Sequence, residues 1–291
     1  MKKFYLCLMC FAILFLAFMP HAVALDYPIT VNYGKVQPDQ TTALNRILPF
    51  SFNAEKADGL LVEIAGLTGA NVRQSLPAKR MMLSVGDQSY QLTNLPLAII
   101  FTERQKTART LNFTLTLELL PSDLPDKYTG NLIIRPWSDT PQGKKWNNTV
   151  TAQLTVEVKP WIKLLCDTTV LNLETTYYSS RSMQNEQPLR IKIASNTQWM
   201  LYCQLNLAAT ELIPVFSVAS IPSTGVQTFN GVTGFSNNRK SLAAGRTTTA
   251  DGKYWCDLLL TVEIKNVMNY PAKEYLIPLH FGAEFLNDTT N

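Results

Sequence analysis

The sequence predicts an all-β chain made of two consecutive β-sandwiches, the second lacking its last strand. Three observations carry that reading. Apolar and polar residues alternate with a period of two over many short stretches, as in strands with one buried face. Turn-forming clusters separate those stretches at sandwich-like spacing. The first half also returns in the second at a constant offset of 147 residues, until the repeat stops. Phe113-Thr114-Leu115-Thr116-Leu117 returns as Leu260-Thr261-Val262-Glu263-Ile264, and Tyr128 returns as Tyr275. Val150 to Val158 forms a further alternating strand in the first copy, but its counterpart would begin near position 297, past Asn291. A sandwich without its last strand exposes core and an unpaired edge, which invites a strand from another chain.

Residues 1–24 read as a secretory signal. Lys2 and Lys3 form a basic start, Phe4 to Met19 is an apolar run, and Ala22-Val23-Ala24 is a small-x-small cleavage site. The run is sixteen residues long and is broken by Pro20, so it is short for a membrane span. No later stretch approaches the length of a span, so the processed chain is expected to have no transmembrane segment and to be exported through the periplasm to a cell surface or beyond. Removing Lys2 and Lys3 leaves 24 basic residues against 22 acidic ones. That balance gives no ground for nucleic acid as a partner.

Residues 25–158 form the first expected sandwich. Leu111, Phe113, Leu115, Leu117 and Leu119 alternate with polar residues, as do Val150, Ala152, Leu154, Val156 and Val158. Turns are signalled at Ala57-Asp58-Gly59, Val85-Gly86-Asp87, Thr129-Gly130 and Pro141-Gln142-Gly143. About seven or eight strands are expected here. In Asp126-Lys127-Tyr128-Thr129-Gly130 the tyrosine is placed to pack its ring in the core and to bond its hydroxyl to the corner before it. That pattern speaks for an immunoglobulin-like fold and says little about function.

The join falls at Lys159-Pro160-Trp161, where proline denies a ladder donor. Residues 159–291 form the second expected sandwich, of six or seven strands. Its alternating faces are Leu189/Ile191/Ile193, Trp199/Leu201/Cys203/Leu205 and Leu258/Leu260/Val262/Ile264. Residues 217–252 are rich in Gly, Ser, Thr and Asn, and read as a long loop or edge hairpin outside the core. Cys7 and Cys10 leave with the signal, so Cys166, Cys203 and Cys256 remain. In an exported protein one pair is expected to oxidise, and the residues alone leave three pairings open.

The residue inventory argues against an enzyme. Of two histidines, His21 lies in the signal, and His280 falls on the polar side of an alternating stretch. One histidine without a nucleophile motif supports no Ser–His–Asp or Cys–His device. No closely spaced cysteine pair offers a zinc site, and no glycine loop cradles phosphate, so no cofactor and no metal are expected. Two features would serve recognition. Trp137 and Trp146 flank one strand connection and would stack on a sugar ring or anchor a protein partner, or else cover the end of the sandwich. Arg73, Arg80, Arg104 and Arg109, with Lys79 and Lys106, would form a patch for acidic ligands if their loops converged, and are otherwise solvated charges.

The chain resembles two-domain pilus tip adhesins and minor pilins assembled by donor-strand complementation. The resemblance lies in layout: a signal peptide, a complete N-terminal sandwich, a C-terminal sandwich ending early, and the pair Cys166/Cys203 early in the latter. It implies a Cys166–Cys203 disulfide, with Cys256 as the alternative partner. It also implies a strand-acceptor groove lined by Ile277, Leu279 and Phe281. The implied partners are a periplasmic chaperone, other pilus subunits and a host glycan or surface receptor. Two other readings stay open: a free-standing secreted carbohydrate- or protein-binding sandwich protein, and a periplasmic pilus chaperone, which Val150 to Val158 followed by Trp161-Ile162-Lys163-Leu164-Leu165 resembles faintly.

Overall fold

The computed structural model describes residues 29–48, 57–106, 111–173, 181–205, 212–221, 225–233, 239–246, 255–271, 275 and 277–286. The expected signal, 1–24, lies outside them. The chain is all-β and its strands pack as sandwiches.

Among the described residues, twelve strands precede the expected join. They are β1 (Ile29–Val36), β2 (Thr42–Ile47), β3 (Gly59–Ile64), β4 (Leu67–Gly69), β5 (Ser75–Leu76), β6 (Met81–Val85), β7 (Gln88–Gln91), β8 (Leu97–Ile100), β9 (Phe113–Leu119), β10 (Asp126–Thr140), β11 (Gly143–Trp146) and β12 (Val150–Val158). A 3-10 turn, Ala78–Arg80, and a short helical turn, α1 (Glu103–Lys106), interrupt them. One sheet runs β1-β12-β10-β3-β8, with β11 and β4 added to β10 and β5 to β4; the other runs β2-β9-β6-β7. Alternation decides the faces. In β9, Phe113, Leu115, Leu117 and Leu119 are fully buried between the sheets, and in β12 so are Ala152, Leu154, Val156 and Val158. The Tyr33 hydroxyl crosses the core and donates to the Leu115 carbonyl at 3.2 Å. Gly130 is obligatory for packing, because a Cβ there would stand 2.3 Å from the Gly66 carbonyl oxygen.

Ten described strands follow the expected join. They are β13 (Ile162–Cys166), β14 (Ser182–Gln184), β15 (Leu189–Ser195), β16 (Trp199–Leu205), β17 (Pro214–Ile221), β18 (Val226–Thr228), β19 (Val232–Thr233), β20 (Lys240–Gly245), β21 (Trp255–Lys265) and β22 (Leu279–Phe285). Their sheets run β13-β15-β21-β17-β19, with β14 also on β21, and β18-β20-β16-β22. No sheet mixes strands from before Val158 with strands from after Ile162. Between β14 and β15 a side chain replaces the ladder. The Asn185 amide donates to the Leu260 carbonyl at 3.2 Å, and its oxygen accepts the Val262 N–H at 2.7 Å.

Two expectations are corrected. The described part of residues 217–252 does not stand outside the core: β20 pairs with β16, and Leu242 and Ala243 are fully buried between the sheets, while 222–224, 234–238 and 247–252 lie outside the described residues. Two small apolar side chains suffice there because the Trp199 ring lies against Gly245, where a Cβ would come within 2.4 Å of it. The strand count also exceeds the expected one, because short pieces such as β4, β5, β14, β18 and β19 carry too few alternating residues to register as strands.

Around the expected join, Lys159-Pro160-Trp161, lies a buried polar knot. Trp161 is buried, and its indole N–H donates to the Pro121 carbonyl at 3.1 Å. The Asn196 side chain accepts the Trp161 N–H at 2.9 Å and donates to the carbonyls of Asp123 at 2.9 Å and Lys159 at 3.0 Å. The Asp123 carboxylate, fully buried, accepts from Arg80 at 2.5 Å and from the Leu120 N–H at 2.8 Å.

Candidate functional site

The internal repeat has a physical counterpart. The Tyr128 hydroxyl donates to the Leu124 carbonyl at 2.8 Å, and the Tyr275 hydroxyl donates to the Pro271 carbonyl at 2.9 Å, four residues back in each case. Both tyrosines lead into a strand that pairs antiparallel with an earlier one: β10 with β3, and β22 with β16. The two environments then diverge. Strand β10 has β12 on its other side, paired from Asp126↔Val158 to Ile134↔Val150. Among the described residues, β22 pairs with β16 alone. Its second edge carries no ladder.

Beside that edge lies an apolar cleft of about 1420 Å³. Ile277, Leu279 and Phe281 form one wall, Leu164 of β13 stands opposite, and Leu189, Val262 and Ile264 reach it from the other sheet. Leu189 and Val262 belong to the second core, and Leu164, Ile277, Leu279, Phe281 and Ala283 pack against it yet stay half-exposed. At the positions 147 residues earlier, Leu132 (against Leu279) is 0% exposed and Ile134 (against Phe281) 2%. The difference is the cover that β12 supplies. His280 points the opposite way from Leu279 and is exposed.

Two cleft residues escaped the sequence reading. Leu171 and Leu173 follow β13, belong to no strand, and pack half-buried into the cleft. The brief alternation Val170-Leu171-Asn172-Leu173 is the signal the sequence offers for them, and it is too short to stand out.

The cysteines are free thiols in the structure. Cys166 is exposed at the end of β13, where burial and then Asp167 raise its thiol above the ordinary value. Cys203 and Cys256 are buried in the second core, on β16 and β21 of facing sheets. Burial pushes the Cys203 thiol up to about 12, and burial followed by the Asp257 charge pushes Cys256 up to about 11. Neither the Cys166–Cys203 bridge nor the Cys256 alternative is formed.

The recognition candidates separate. Trp137 and Trp146 face each other across the β10–β11 hairpin, edge to face at 5.9 Å. Trp137 points away from the core that Leu132 and Ile134 enter, and lies over Gly59 on the outer face. It is buried there, with the Lys144 ammonium 4.1 Å from the ring centroid, whereas Trp146 is 50% exposed. Among the described residues, the basic candidates do not converge. Arg73 is exposed in the loop whose neighbours Asn71 and Val72 donate to Asp126. Arg80 is committed to Asp123 at the join, not open to a ligand. Arg104 sits on α1, whose Lys106 pairs with Asp58 at 3.2 Å beside Trp137. Eleven residues of β10, roughly 36 Å at about 3.3 Å per residue, separate Trp137 at that end from Asp126. Arg109 and the side chain of Arg104 lie outside the described residues. The Asp126 carboxyl is raised by burial but lowered more by the N–H groups of Val72, Asn71 and Lys127, so it ends below the ordinary range. It serves the corner.

No protein-family model matches the chain, and no curated protein sequence matches it. Solved structures do. A chaperone–tip adhesion subunit pre-assembly complex, CsuC-CsuE of Acinetobacter baumannii, is similar at 12% identity and TM-score 0.41, over 88% of this chain and 97% of that one. CfaE, the adhesive subunit of CFA/I fimbria of enterotoxigenic Escherichia coli, is similar at 10% identity and TM-score 0.35, over 91% and 94%. A family 123 glycoside hydrolase of Clostridium perfringens is similar at 9% identity and TM-score 0.30, over 45% of this chain and 22% of that one. At such TM-scores the likenesses carry no argument for function.

Proposed function

We propose that this chain is an exported, non-enzymatic subunit of a fimbria-like assembly whose second sandwich accepts a β-strand from a partner chain. The unpaired edge of β22 above a half-exposed apolar wall carries the reading. Such an edge recruits extended chain, main-chain hydrogen bonds giving affinity and alternate side chains giving specificity. The first sandwich supplies a template for the incoming strand. Adding 147 to the register of β10 with β12 places an antiparallel strand beside β22, its apolar residues standing opposite Tyr275, Ile277, Leu279 and Phe281.

In this reading the chain divides into residues 25–158, which face outward, and 159–291, which join the assembly. Residues 1–24 direct export. A chaperone would supply the strand in transit and a neighbouring subunit would replace it. Outward contact with a glycan or surface receptor would use the exposed Trp146 at the hairpin end, with Arg73 as an exposed charge elsewhere on the same sandwich. A stretch of residues 149–158, fused by a flexible linker after Asn291, tests the proposal in residues 25–291. The expected result is a monomer with a higher unfolding temperature for the second half than the unfused chain. An unfused chain that is already monomeric and gains no stability from the fusion would overturn it.

A further inference from the structure

We infer that residues 167–173 are an internal placeholder: they fill part of the cleft beside β22 until a donated strand displaces them. The inference rests on the strand-acceptor reading above. The segment leaves β13 at Cys166 and joins no sheet. Its last four residues, 170–173, nonetheless alternate in exposure as a strand does on an apolar floor. Val170 is 69% exposed and Asn172 is exposed, whereas Leu171 and Leu173 are half-buried against the second core. Both leucines line the same cleft as Leu164, Ile264, Leu279 and Phe281. They occupy space a donated strand needs.

Light anchoring makes the segment replaceable. The Asp167 N–H donates to the Arg190 carbonyl at 3.2 Å. A local turn follows, in which the Thr168 hydroxyl donates to the Val170 carbonyl at 2.9 Å and accepts the Val170 N–H at 3.3 Å. No ladder holds residues 171–173. Two half-buried leucines shield apolar wall that would otherwise meet water or another edge. A strand offering four inward side chains together with a full ladder would outcompete them. The device keeps the subunit soluble while empty and yields to the correct partner.

The test uses residues 25–291 and a fluorescent peptide of residues 149–159. In the wild-type chain, nuclear Overhauser contacts of the Leu171 and Leu173 methyl groups with the cleft are expected when it is empty, and are expected to vanish as the peptide protects the amides of β22. In stopped-flow anisotropy the double variant Leu171→Ser/Leu173→Ser is expected to take up the peptide at least tenfold faster than wild type. Protection of β22 with those contacts intact, or equal uptake rates, overturns the placeholder and leaves the acceptor cleft standing. A peptide that protects β22 in neither protein overturns both.

Discussion

Strands β10 and β22 begin alike and end in different surroundings. Each follows a tyrosine bonded four residues back, and each pairs with an earlier strand on one side. On the other side β10 meets β12, and β22 meets an open cleft. Residues of the same kind are therefore core in one half and wall in the other. The comparison teaches that burial in a sandwich is decided by the neighbouring strand as much as by the residue. Leu132 and Leu279 occupy equivalent places, yet only the first is sealed.

The largest effect should come from abolishing the difference. Supplying the second half with the strand sequence 149–158 buries several apolar side chains at about 1.5–3 kcal/mol each, less the entropy of ordering the strand. Scanning calorimetry should show the second-half transition stabilised by roughly 5 kcal/mol and the first unmoved. Movement of both transitions together would mean that the halves do not unfold separately.

Paired truncations sharpen the comparison without adding anything. Leu132→Ala empties a sealed site and should cost about 3 kcal/mol, whereas Leu279→Ala trims a half-exposed wall and should cost about 1 kcal/mol. Denaturant titration of each half reads both. With the donated strand in place, the cost at Leu279 should rise toward that at Leu132. Equal costs in the empty chain would break the comparison.

Alkaline pH should separate the halves by their buried acids. The Cys203 and Cys256 thiols have folded values of about 12 and 11 against an ordinary 9.0. Burial likewise raises the Tyr33 and Tyr128 phenols from an ordinary 10.0. In each case the folded state holds its proton longer than the unfolded one. The stability is whole below the unfolded value and is lost as pH climbs toward the folded value. The reduced second half should therefore weaken first, from near pH 9, by about 1.4 kcal/mol per thiol at pH 10. The first half should begin to weaken near pH 10. Cys203→Ala/Cys256→Ala should flatten the profile of the second half.

Much of this architecture was legible in the sequence because strands write their faces at period two. β9, β12, β15 and β21 alternate cleanly, and the offset of 147 residues aligns Tyr128 with Tyr275. What escaped depends on partners far apart in sequence. Arg80 reads as an open charge until Asp123 is found 43 residues away beneath it. Trp137 reads as half of a matched pair with Trp146, but its face is fixed by Gly59, a residue whose contribution is to have no side chain. Strand β20 brings only Leu242 and Ala243 to the core, too few to rise above a polar background. Leu171 and Leu173 alternate for a single period, and short apolar stretches of that length occur throughout the chain.

The smallest effect lies at the two corners, where the halves are most alike. The Tyr128 hydroxyl is doubly held: it donates to the Leu124 carbonyl at 2.8 Å and also reaches the Gln74 side-chain oxygen at 2.7 Å. Its ring is fully buried. Removing the hydroxyl leaves the Leu124 carbonyl and Gln74 without that partner in a dry corner, so Tyr128→Phe should cost about 1–2 kcal/mol. The Tyr275 hydroxyl reaches the Pro271 carbonyl in a half-exposed corner where water can replace it. Tyr275→Phe should cost about 0.5 kcal/mol. The two values should draw together once a donated strand covers β22, since the corner beneath it would then be dry as well. Chemical denaturation of both variants, with and without the strand peptide, measures that convergence. A Tyr275→Phe cost that ignores the peptide would mean that the cleft does not close over its corner as β12 closes over Tyr128.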